Sequence, residues 1–475
     1  MYDTIAAIAT PYGSGGIGII RISGTKAFDI ALKIFSKSKI KFQRPLNLKS
    51  HKVEHGYIFD TRKLQIIDEI LLIFMKRPSS YTTEDVIEIQ AHCSALVLRI
   101  ILDLIIFHGA RLAEPGEFTK RAFLNQRIDL TQAEAVIDIL NAKSTSALKA
   151  ASHQNLGVLK NQIEVLREKL ISFLTLLEAN IDFADEIDPF ESDGFESDGF
   201  KSDKLEYKKE QNQKIKQIKD IRKVCQKLIK DHDDKNFLRN GIKIAICGAP
   251  NVGKSSLMNK LLKKEKAIVT KIPGTTRDPI EECLNINGVP FIIVDTAGIH
   301  KTKDIVETLG IKKAKEIIQS SDIVLFMKEP GDTFNDKEFL QIVPSNKTIV
   351  VVINKIDLNK TIPCLPDKYK DLPIIKISAL FNKGIDKLKK KIFDICVGHL
   401  FLEDTLIVVN LRHKKALEKA VKALFSLESG LKAQKDESLL SIDAKTCIDE
   451  LGIIIGKTDS LDILDNIFKN FCVGK

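Results

Sequence analysis

The sequence predicts a multidomain fold of the α/β and α classes, in which a P-loop domain with a mostly parallel sheet is inserted into a discontinuous helical domain. Three observations predict it. The chain has 475 residues, which is too long for a single hydrophobic core. Residues 239–396 alternate apolar strand patterns with nucleotide-binding motifs, whereas helical patterns come before and after them. Residues 1–122 carry short alternating strands and helices, which are typical of an α+β domain.

The composition indicates a globular protein that does not enter a membrane. Hydrophobic residues make up 44% of the chain and charged residues 29%. The longest apolar run, residues 96–107, is interrupted by Arg99 and Asp103 and is too short to cross a bilayer. No basic leader begins the sequence, so we expect a cytoplasmic protein. The eight cysteines form no Cys-x-x-Cys pair, which argues against zinc ribbons and disulfide frameworks.

The net charge of +10 has two readings. It is compatible with an anionic partner such as RNA. It is equally compatible with a general bias toward lysine, because the excess is spread along the whole chain. Charge alone does not decide between them.

The first domain begins with two strands, expected over residues 4–9 and 17–22. The glycines between them, Gly13-Ser-Gly-Gly-Ile-Gly18, match the dinucleotide pattern G-x-G-x-x-G. That pattern requires a helix after the glycines, but an alternating strand follows here. We therefore expect a tight turn between strands and no dinucleotide site. The remaining elements are a helix over 26–35, a strand over 70–75 and a helix over 94–107.

Residues 123–238 are expected to be mostly helical. From residue 159, apolar side chains recur every three or four positions, which predicts a helix packed on another helix, at Leu159, Ile163, Leu166, Leu170, Phe173 and Leu177. An acidic pentad is then repeated in tandem over residues 191–200 and is best explained as a surface loop without function. A lysine-rich helix follows from Lys204, and its charges are better explained as a solvated face than as a binding stripe.

The phosphate loop is residues 248–255, Gly-Ala-Pro-Asn-Val-Gly-Lys-Ser. A strand pattern precedes it and a helix pattern follows it, as this motif requires. Glycines let backbone amides close around phosphate oxygens, and the helix N-terminus adds partial positive charge. Lys254 can reach the outer phosphates, and the Ser255 hydroxyl can ligate Mg2+.

Four further motifs follow in the order expected of a GTPase, each after a strand. Thr276 can bind Mg2+, Asp295 can hold it through water, and the Gly298 amide can meet the γ-phosphate. The Asp357 carboxylate can accept two hydrogen bonds from guanine, which adenine cannot offer. The expected GTP contacts are Asn251, Val252, Gly253, Lys254, Ser255, Ser256, Thr270, Lys271, Ile272, Pro273, Gly274, Thr275, Thr276, Asp295, Thr296, Ala297, Gly298, Asn354, Lys355, Asp357, Ser378 and Ala379.

The residue after the Asp295-Thr-Ala-Gly298 motif is Ile299, where small GTPases place a water-orienting glutamine. Isoleucine cannot align a water, so the help must come from elsewhere; the titratable candidates are His300, Asp304 and Glu307. Asn251 and the loop before Thr276 offer oxygens for a monovalent cation beside the phosphates. On this hypothesis, hydrolysis is faster in K+ than in Na+.

From about residue 397 the chain is expected to be helical again. One helix face carries Leu417, Val421, Leu424, Leu427 and Leu431. A last helix over 460–471 leads to the C-terminal tail, which should be docked because that helix is apolar. The predicted domains are 1–122, 123–238, 239–396 and 397–475, with the second and fourth forming one helical domain.

With these motifs in place, the chain resembles the MnmE (TrmE) family of tRNA modification GTPases over almost its whole length. The resemblance is carried by Gly18-Ile-Ile-Arg-Ile-Ser-Gly24, Glu84-Asp-Val-Ile-Glu88, Pro115-Gly-Glu-Phe118, Arg121-Ala-Phe-Leu-Asn125, Ile272-Pro-Gly-Thr-Thr-Arg-Asp278 and Phe471-Cys-Val-Gly-Lys475. The last of these, at the very end of the chain, is the most specific.

The resemblance implies an N-terminal domain that binds folate and forms a homodimer, and a K+-activated GTPase. It implies that, with the flavoprotein MnmG in a heterotetramer, the protein modifies carbon 5 of the wobble uridine of certain tRNAs. A one-carbon unit would come from 5-formyl- or 5,10-methylene-tetrahydrofolate. By motif, the folate residues are Arg21, Glu88, Arg127 and Lys475. The K+ ligands are Asn251, Thr270, Ile272 and Thr275; the Mg2+ ligands are Ser255 and Thr276; and Glu307 orients the water.

Two positions depart from the family pattern: Ala91-His-Cys-Ser94 replaces a glycine-rich step, and His300 stands where arginine is common. Two other functions remain open at this point. One is an RNA-binding GTPase switch in ribosome assembly, without one-carbon chemistry. The other is a folate-binding regulatory module in which GTP hydrolysis only controls a partner.

Overall fold

The computed structural model describes residues 3–11, 13, 15–43, 48–186, 200–262, 281–295, 316–331, 347–358, 371–398, 407–457, 464, 467–469, 471 and 473–474. The chain divides into two compact units. The first comprises Met1–Ile137, Asn155–Phe195 and Gln434–Lys475, and the second comprises Asp138–Gln154 and Glu196–Ala433. The four domain ranges expected above remain a prediction.

A seven-stranded sheet organises the first unit. Its strands are β1 (Ile5–Ile8), β2 (Gly15–Ser23), β3 (Phe35–Ser36), β4 (Val53–Asp60), β5 (Gln65–Met75), β6 (Val86–Cys93) and β7 (Arg111–Leu112). Their order is β3-β4-β5-β6-β2-β1-β7, and every neighbouring pair is antiparallel except β1 with β7. Gly15, Gly16 and Gly18 lie within β2, which continues to Ser23, so a strand and not a helix follows the turn. The expected strand-to-strand connection is thus confirmed and the dinucleotide site is excluded.

Two helices, α1 (Ala27–Ile34) and α2 (Ala95–Phe107), cover one face of this sheet. They bury the alternate strand residues beneath them, among them Ile20, Leu72 and Ile89. The residues in register on the opposite side are called the open face: Ile17, Ile19, Arg21, Val53, His55, Tyr57, Glu69, Leu71, Ile73, Glu88, Gln90 and His92. The apolar side chains of Ile17, Val53 and Leu71 are exposed on it.

Helices complete the first unit: α3 (Glu117–Leu124), α4 (Leu130–Asn141), α6 (Val158–Glu186) and α12 (Glu437–Ile455). The helix expected from the apolar spacing is confirmed, because all six side chains of that row on α6 are buried, from Leu159 to Leu177. The end of the chain packs on α3 and α4 through Phe468 and Phe471.

A buried ionic cluster joins α3 to the start of the chain. The Arg121 side chain, only 3% exposed, donates to the carboxylates of Asp3 (2.8 Å), Glu84 (3.2 Å) and Glu117 (2.9 Å). Arg111 also donates to both oxygens of Glu117. Burial alone would raise the pKa of Glu117, but the hydrogen bonds from Arg111, from the Glu114 backbone and from Arg121 outweigh it and lower the pKa below its ordinary 4.5.

Glu117→Gln should therefore destabilise the chain by about 1.5–3 kcal/mol at neutral pH, because it weakens the charge-assisted hydrogen bonds from Arg111 and Arg121, while Asp3 and Glu84 still compensate the Arg121 charge. Because folding lowers the pKa of Glu117, its carboxylate stabilises the fold fully at pH values above the ordinary pKa of 4.5. This stabilisation is lost as the pH falls through the folded-state pKa. The difference between variant and wild type should thus shrink from pH 7 to pH 3. Urea midpoints followed by circular dichroism measure it.

Glu54→Gln is the matched control, since Glu54 pairs with Lys37 at the surface. Its effect should stay below about 1 kcal/mol at every pH. An equal loss for both variants at pH 7 would contradict a stabilising role for the buried cluster.

A six-stranded sheet organises the second unit. Its strands are β8 (Ile242–Gly248), β9 (Glu281–Ile286), β10 (Val289–Asp295), β11 (Ile323–Lys328), β12 (Thr348–Ile353) and β13 (Ile374–Lys376). Their order is β13-β12-β11-β8-β10-β9, and only the β9–β10 hairpin is antiparallel, which confirms the mostly parallel sheet. Helices α9 (Lys254–Leu262) and α10 (Ile385–Cys396) pack into the core on this sheet.

The remaining helices of the second unit are α5 (Thr145–Asn155), α7 (Phe200–Lys235), α8 (Phe237–Asn240) and α11 (Leu411–Lys432). The long helices α7 and α11 pack on each other, and Arg222 of α7 donates to the buried Glu428 of α11 at 3.0 Å. The Asn410 side chain caps the start of α11. Within the described part of the chain, no helix combines the length and apolar character needed to cross a membrane.

Candidate functional site

The nucleotide motifs meet at one edge of the second sheet. β8, β10, β12 and β13 are parallel members of that sheet, and each is followed at its carboxyl end by one of the expected motifs. Carboxyl ends of parallel strands lie at a common edge, where open α/β sheets bind ligands. The phosphate loop lies centrally on this edge, because β8 stands between β10 and β11.

The phosphate loop has a backbone shape that only particular residues tolerate. Gly248 and Gly253 have φ of 143° and 93°, and Asn251 has 65°. A Cβ on Gly248 would lie 2.4 Å from the carbonyl oxygen of Met327, and one on Gly253 would lie 2.3 Å from Nδ2 of Asn354. Both glycines are thus required by close packing as well as by their dihedral angles.

The Lys254 ammonium folds back over the loop. Its Nζ donates to the carbonyl oxygens of Gly248 at 2.9 Å and Ala249 at 2.8 Å. This holds a positive charge at the start of α9, where the helix N-terminus already favours anions. The side chains of Ser255 and Ser256 are exposed in the same first turn. The arrangement can bind a polyphosphate and, through hydroxyl oxygen, a hard cation such as Mg2+.

Asn354 joins the phosphate loop to the next motif. Its side chain is 2% exposed, and Nδ2 donates to the carbonyl oxygen of Val252 at 2.8 Å. Its Oδ1 accepts from the backbone N–H of Ala379 at 2.9 Å. One side chain therefore fixes the spacing between the loop for phosphate and the Ser378–Ala379 loop expected to meet the base.

The expected base-reading residue is accessible. Asp357 is exposed, three residues beyond Asn354, and no hydrogen bond within the described residues engages its carboxylate. Lys355 has a φ of 62° and forms an ion pair with Glu329 at 2.5 Å. Backbone hydrogen bonds between Ser378 and Lys383 close the loop beside it. This edge can present a carboxylate to the N1–H and 2-amino groups of guanine.

Several expected site residues lie outside the described residues, and their roles remain predictions. They are Thr270, Lys271, Ile272, Pro273, Gly274, Thr275, Thr276, Thr296, Ala297, Gly298, Glu307 and Lys475. Asp295 is described only as the last residue of β10.

A second group of expected residues converges in the first unit. Arg21 and Glu88 face each other on β2 and β6, and Nε and Nη2 of Arg21 both reach Oε1 of Glu88, at 2.9 and 2.7 Å. The Arg21 guanidinium also donates to the carbonyl oxygen of Gly474 at 3.4 Å, next to the expected Lys475. Arg127 lies over the Tyr81 ring at 5.0 Å, and Arg21 lies 5.8 Å from the same ring.

An open cleft of about 550 Å³ adjoins this group. Its lining includes Ser79, Ser80, Tyr81, Asn125 and Arg127. Its volume lies within the range typical of sites for small molecules and cofactors. Tyr81 and Arg127 line this cleft, and Arg21, paired with Glu88, lies against the same Tyr81 ring. The C-terminal tail contacts Arg21 through Gly474.

Two family profiles match most of the chain. A profile of the MnmE helical domain matches residues 130–472, and a profile of the GTP-binding protein TrmE N-terminus matches residues 4–127. The chain belongs to the MnmE family. Together with the guanine-nucleotide motifs, this membership identifies the chain as a GTP hydrolase.

Curated relatives match over their full length. The tRNA modification GTPase MnmE of Thermoanaerobacter pseudethanolicus is 42% identical over 480 residues, covering 100% of both chains. That of Natranaerobius thermophilus is 40% identical, covering 100% of this chain and 99% of its own. Among solved structures, Aquifex aeolicus Era bound to GDP·AlF4− is 34% identical over 39% of this chain and 67% of its own, with a TM-score of 0.26.

Some contacts in these sites were not expected from the sequence. Tyr81, which contacts both arginines, lies in a loop after the strand expected over residues 70–75, where no functional residue was expected. Asn354 was expected to contact GTP, but its bonds to Val252 and Ala379 were not foreseen. Asn354 follows a buried strand directly and precedes Lys355-Ile-Asp357, and this position in the sequence could have indicated a structural role.

Proposed function

We propose that this MnmE-family GTPase is the GTP-hydrolysing subunit of a complex that modifies carbon 5 of the wobble uridine of certain tRNAs. The group added is of the carboxymethylaminomethyl or aminomethyl type, and its one-carbon unit comes from tetrahydrofolate. The observation that carries the proposal is the gathering of Arg21, Glu88, Arg127 and the tail around Tyr81, in a chain that also has a guanine-nucleotide edge.

The chemistry of this group suits a reduced folate. Both hydrogen bonds from Arg21 converge on Oε1 of Glu88, and no bond within the described residues reaches Oε2. That oxygen can accept from an N–H of a pterin ring, and Tyr81 offers an aromatic face. The Arg127 guanidinium contacts only the Tyr81 ring among the described side chains, so it can bind a folate carboxylate. Lys475 is the fourth residue that we expect to bind the folate.

Hydrolysis would depend on residues around the phosphate loop. Lys254 would exchange its loop carbonyls for the outer phosphate oxygens, and Ser255 with Thr276 would hold Mg2+. Asn251 is exposed in the loop with a positive φ, and it would bind K+ together with Thr270, Ile272 and Thr275. The bound cations would supply positive charge near the phosphates. Glu307 would orient the water that Ile299 cannot.

We also propose a homodimer formed through the first unit. The open face exposes Ile17, Val53 and Leu71, and a sheet face with several large apolar side chains is commonly covered by a partner. Arg21 and Glu88 belong to the same face, so a second copy would lie beside the folate group. The homodimer would join the flavoprotein MnmG in a cytoplasmic heterotetramer that acts on tRNA.

The direct test is the nucleoside content of tRNA from a deletion strain. Loss of the C5-modified wobble uridine, restored by the intact gene, is expected. Normal wobble nucleosides would contradict the proposal and favour a GTPase switch without one-carbon chemistry.

GTP turnover of the purified chain should be faster in K+ than in Na+, with and without the flavoprotein. Equal rates in the two buffers would contradict the assignment of K+ ligands.

The folate assignment predicts a selective defect in Arg127→Met. Loss of one charge-assisted contact costs about 1.5–3 kcal/mol, so the affinity for 5-formyl-tetrahydrofolate should fall by about 10- to 150-fold. GTP affinity should be unchanged, because the phosphate loop lies in the other compact unit. Calorimetric titration of both ligands measures this.

Arg99→Met provides the control, since Arg99 is an exposed arginine on α2 of the same unit. It should leave both affinities at the wild-type value. If Arg127→Met bound the folate as well as Arg99→Met does, Arg127 would not belong to the site.

A further inference from the structure

The two long helix pairs of this protein carry opposite charge. In the second unit, α7 has twelve Lys or Arg against seven Asp or Glu, and α11 has six against two. In the first unit, α6 has three against six, and α12 has one against four. A general lysine bias would act on both pairs alike. The positive charge of the helical segments is therefore concentrated on α7 and α11.

The lysines of α7 form a continuous row on its exposed side. They recur at steps of seven, three or four residues, which places them on one side of a helix: Lys209, Lys216, Lys219, Lys223, Lys227 and Lys230. At 1.5 Å per residue the row is about 30 Å long. On α11, Lys415, Lys419 and Lys422 are exposed with the same spacing. These nine lysines are called the basic face.

Acidic residues interrupt the basic face at few positions. Asp220 lies 3.5 Å from Lys223, and Glu210 and Glu418 are exposed nearby on α7 and α11. The exposed side of α6 is different, because it mixes Glu168 with the apolar Val165 and Leu176. The exposed side of a helix needs only to be compatible with water, and that of α6 is so without a row of lysines.

An exposed aromatic ring accompanies the basic face. Phe425 of α11 is 61% exposed, and the guanidinium of Arg222 from α7 lies 5.9 Å from its ring centre. Arg222 is itself held by an ion pair with the buried Glu428 at 2.9 Å. Phe425 therefore stands where the two helices meet, one turn beyond Lys422. An aromatic side chain among lysines is typical of surfaces that bind RNA, where bases stack and phosphates pair with cations.

We propose that the basic face binds the phosphate backbone of tRNA and that Phe425 stacks on an unpaired base. The choice of tRNA rests on the proposed function, whereas the charge and the ring alone point to a polyanion with aromatic groups. This assigns a docking surface to α11 and to α7, and from the sequence the charges of α7 were better explained as a solvated face. An acidic protein surface is the competing partner, but it would gain less from an exposed aromatic ring.

The test compares full-length chains in which three lysines are replaced by glutamine. One variant carries Lys216→Gln, Lys219→Gln and Lys223→Gln; the matched control carries Lys49→Gln, Lys52→Gln and Lys63→Gln, which are exposed lysines of the first unit. Filter binding of deacylated total tRNA is measured over a range of KCl concentrations without nucleotide. Loss of three phosphate contacts should weaken binding at least tenfold near 0.1 M salt and reduce the log–log salt slope by roughly 2 to 3. The control should match the wild type.

Phe425→Ala separates stacking from charge. It should weaken tRNA binding by about tenfold while leaving the salt slope unchanged, since a base stack releases no counterions. Leu439→Ala, an exposed apolar residue of α12, is its control. Circular dichroism melting curves that match wild type for all four variants establish that folding is intact.

Wild-type tRNA binding by the α7 variant would overturn the inference, and so would a loss confined to binding of the flavoprotein. An equal loss in both lysine variants would overturn it too, because binding would then follow total charge. The deletion-strain test is independent. Normal wobble nucleosides combined with a selective defect of the α7 variant would leave the RNA surface standing and remove only the proposed chemistry.

Discussion

Asn354→Ala should lower the affinity for GTP by at least about 30-fold and abolish measurable hydrolysis at micromolar GTP. The side chain is buried, and it bonds both the carbonyl oxygen of Val252 and the backbone N–H of Ala379. Alanine leaves both groups without that partner. Each unsatisfied buried group costs about 1–3 kcal/mol, or roughly 2–6 kcal/mol for the two.

This cost would fall mainly on the nucleotide complex. Without nucleotide, the phosphate loop and the Ser378–Ala379 loop can move apart and let water reach the two groups. Binding requires both loops at their native spacing, so the variant must then bury the groups unpaired. A penalty of this size corresponds to about 30-fold to 10⁴-fold in the dissociation constant. Fluorescent GDP and GTP analogues titrated against the full chain measure the effect.

Asn285→Ala is a matched control in the same unit. The Asn285 side chain also accepts a backbone hydrogen bond, from Gly288 in the β9–β10 turn, but it lies at the opposite end of β10 from Asp295. It should lower the melting temperature slightly and leave nucleotide affinity unchanged. If both variants bound GTP equally well, Asn354 would serve general stability and would not set the geometry of the site.

The structure was predicted best from the sequence where one local pattern serves both the fold and the binding of nucleotide. The strand, loop and helix around residues 242–262 appear as expected, because the loop chemistry and the two flanking periodicities agree. The apolar row of α6 was equally informative, since a helix buried on one side repeats its contacts every three or four residues.

Contacts between segments that are distant in the sequence could not be predicted from such local patterns. Arg21 and Glu88 are 67 residues apart and meet only because β2 and β6 pair in one register. Gly474 reaches Arg21 across 453 residues. Helical structure was expected from about residue 397, but the bounds of α12 were not, because its apolar residues are spread around it and give a weak periodicity. A family resemblance named the folate residues, but not the Tyr81 ring that two of them share.

Asp357→Asn should change which nucleobase the site prefers. Guanine presents two N–H donors, at N1 and the 2-amino group, and a carboxylate accepts both. Asparagine keeps one acceptor and places an N–H donor against the amino group. One hydrogen bond is therefore replaced by an unfavourable contact between two N–H donors. Sites built on such pairs discriminate by about 10⁴-fold, and we expect GDP affinity to fall by about 10³-fold.

Xanthine carries an oxygen in place of the 2-amino group, and the asparagine amide can donate to it. The affinity of the same variant for XDP should therefore lie within about tenfold of the affinity of the wild type for GDP. The base preference of the site would then be reversed. The remaining base contacts support this, because Asn354 still fixes the Ser378–Ala379 loop. Asp371→Asn, an exposed carboxylate just before β13, controls for the lost charge. Competition titrations with GDP and XDP decide it: an unchanged preference for GDP would place the base away from Asp357, whereas a reversed preference requires the base edge to meet this side chain.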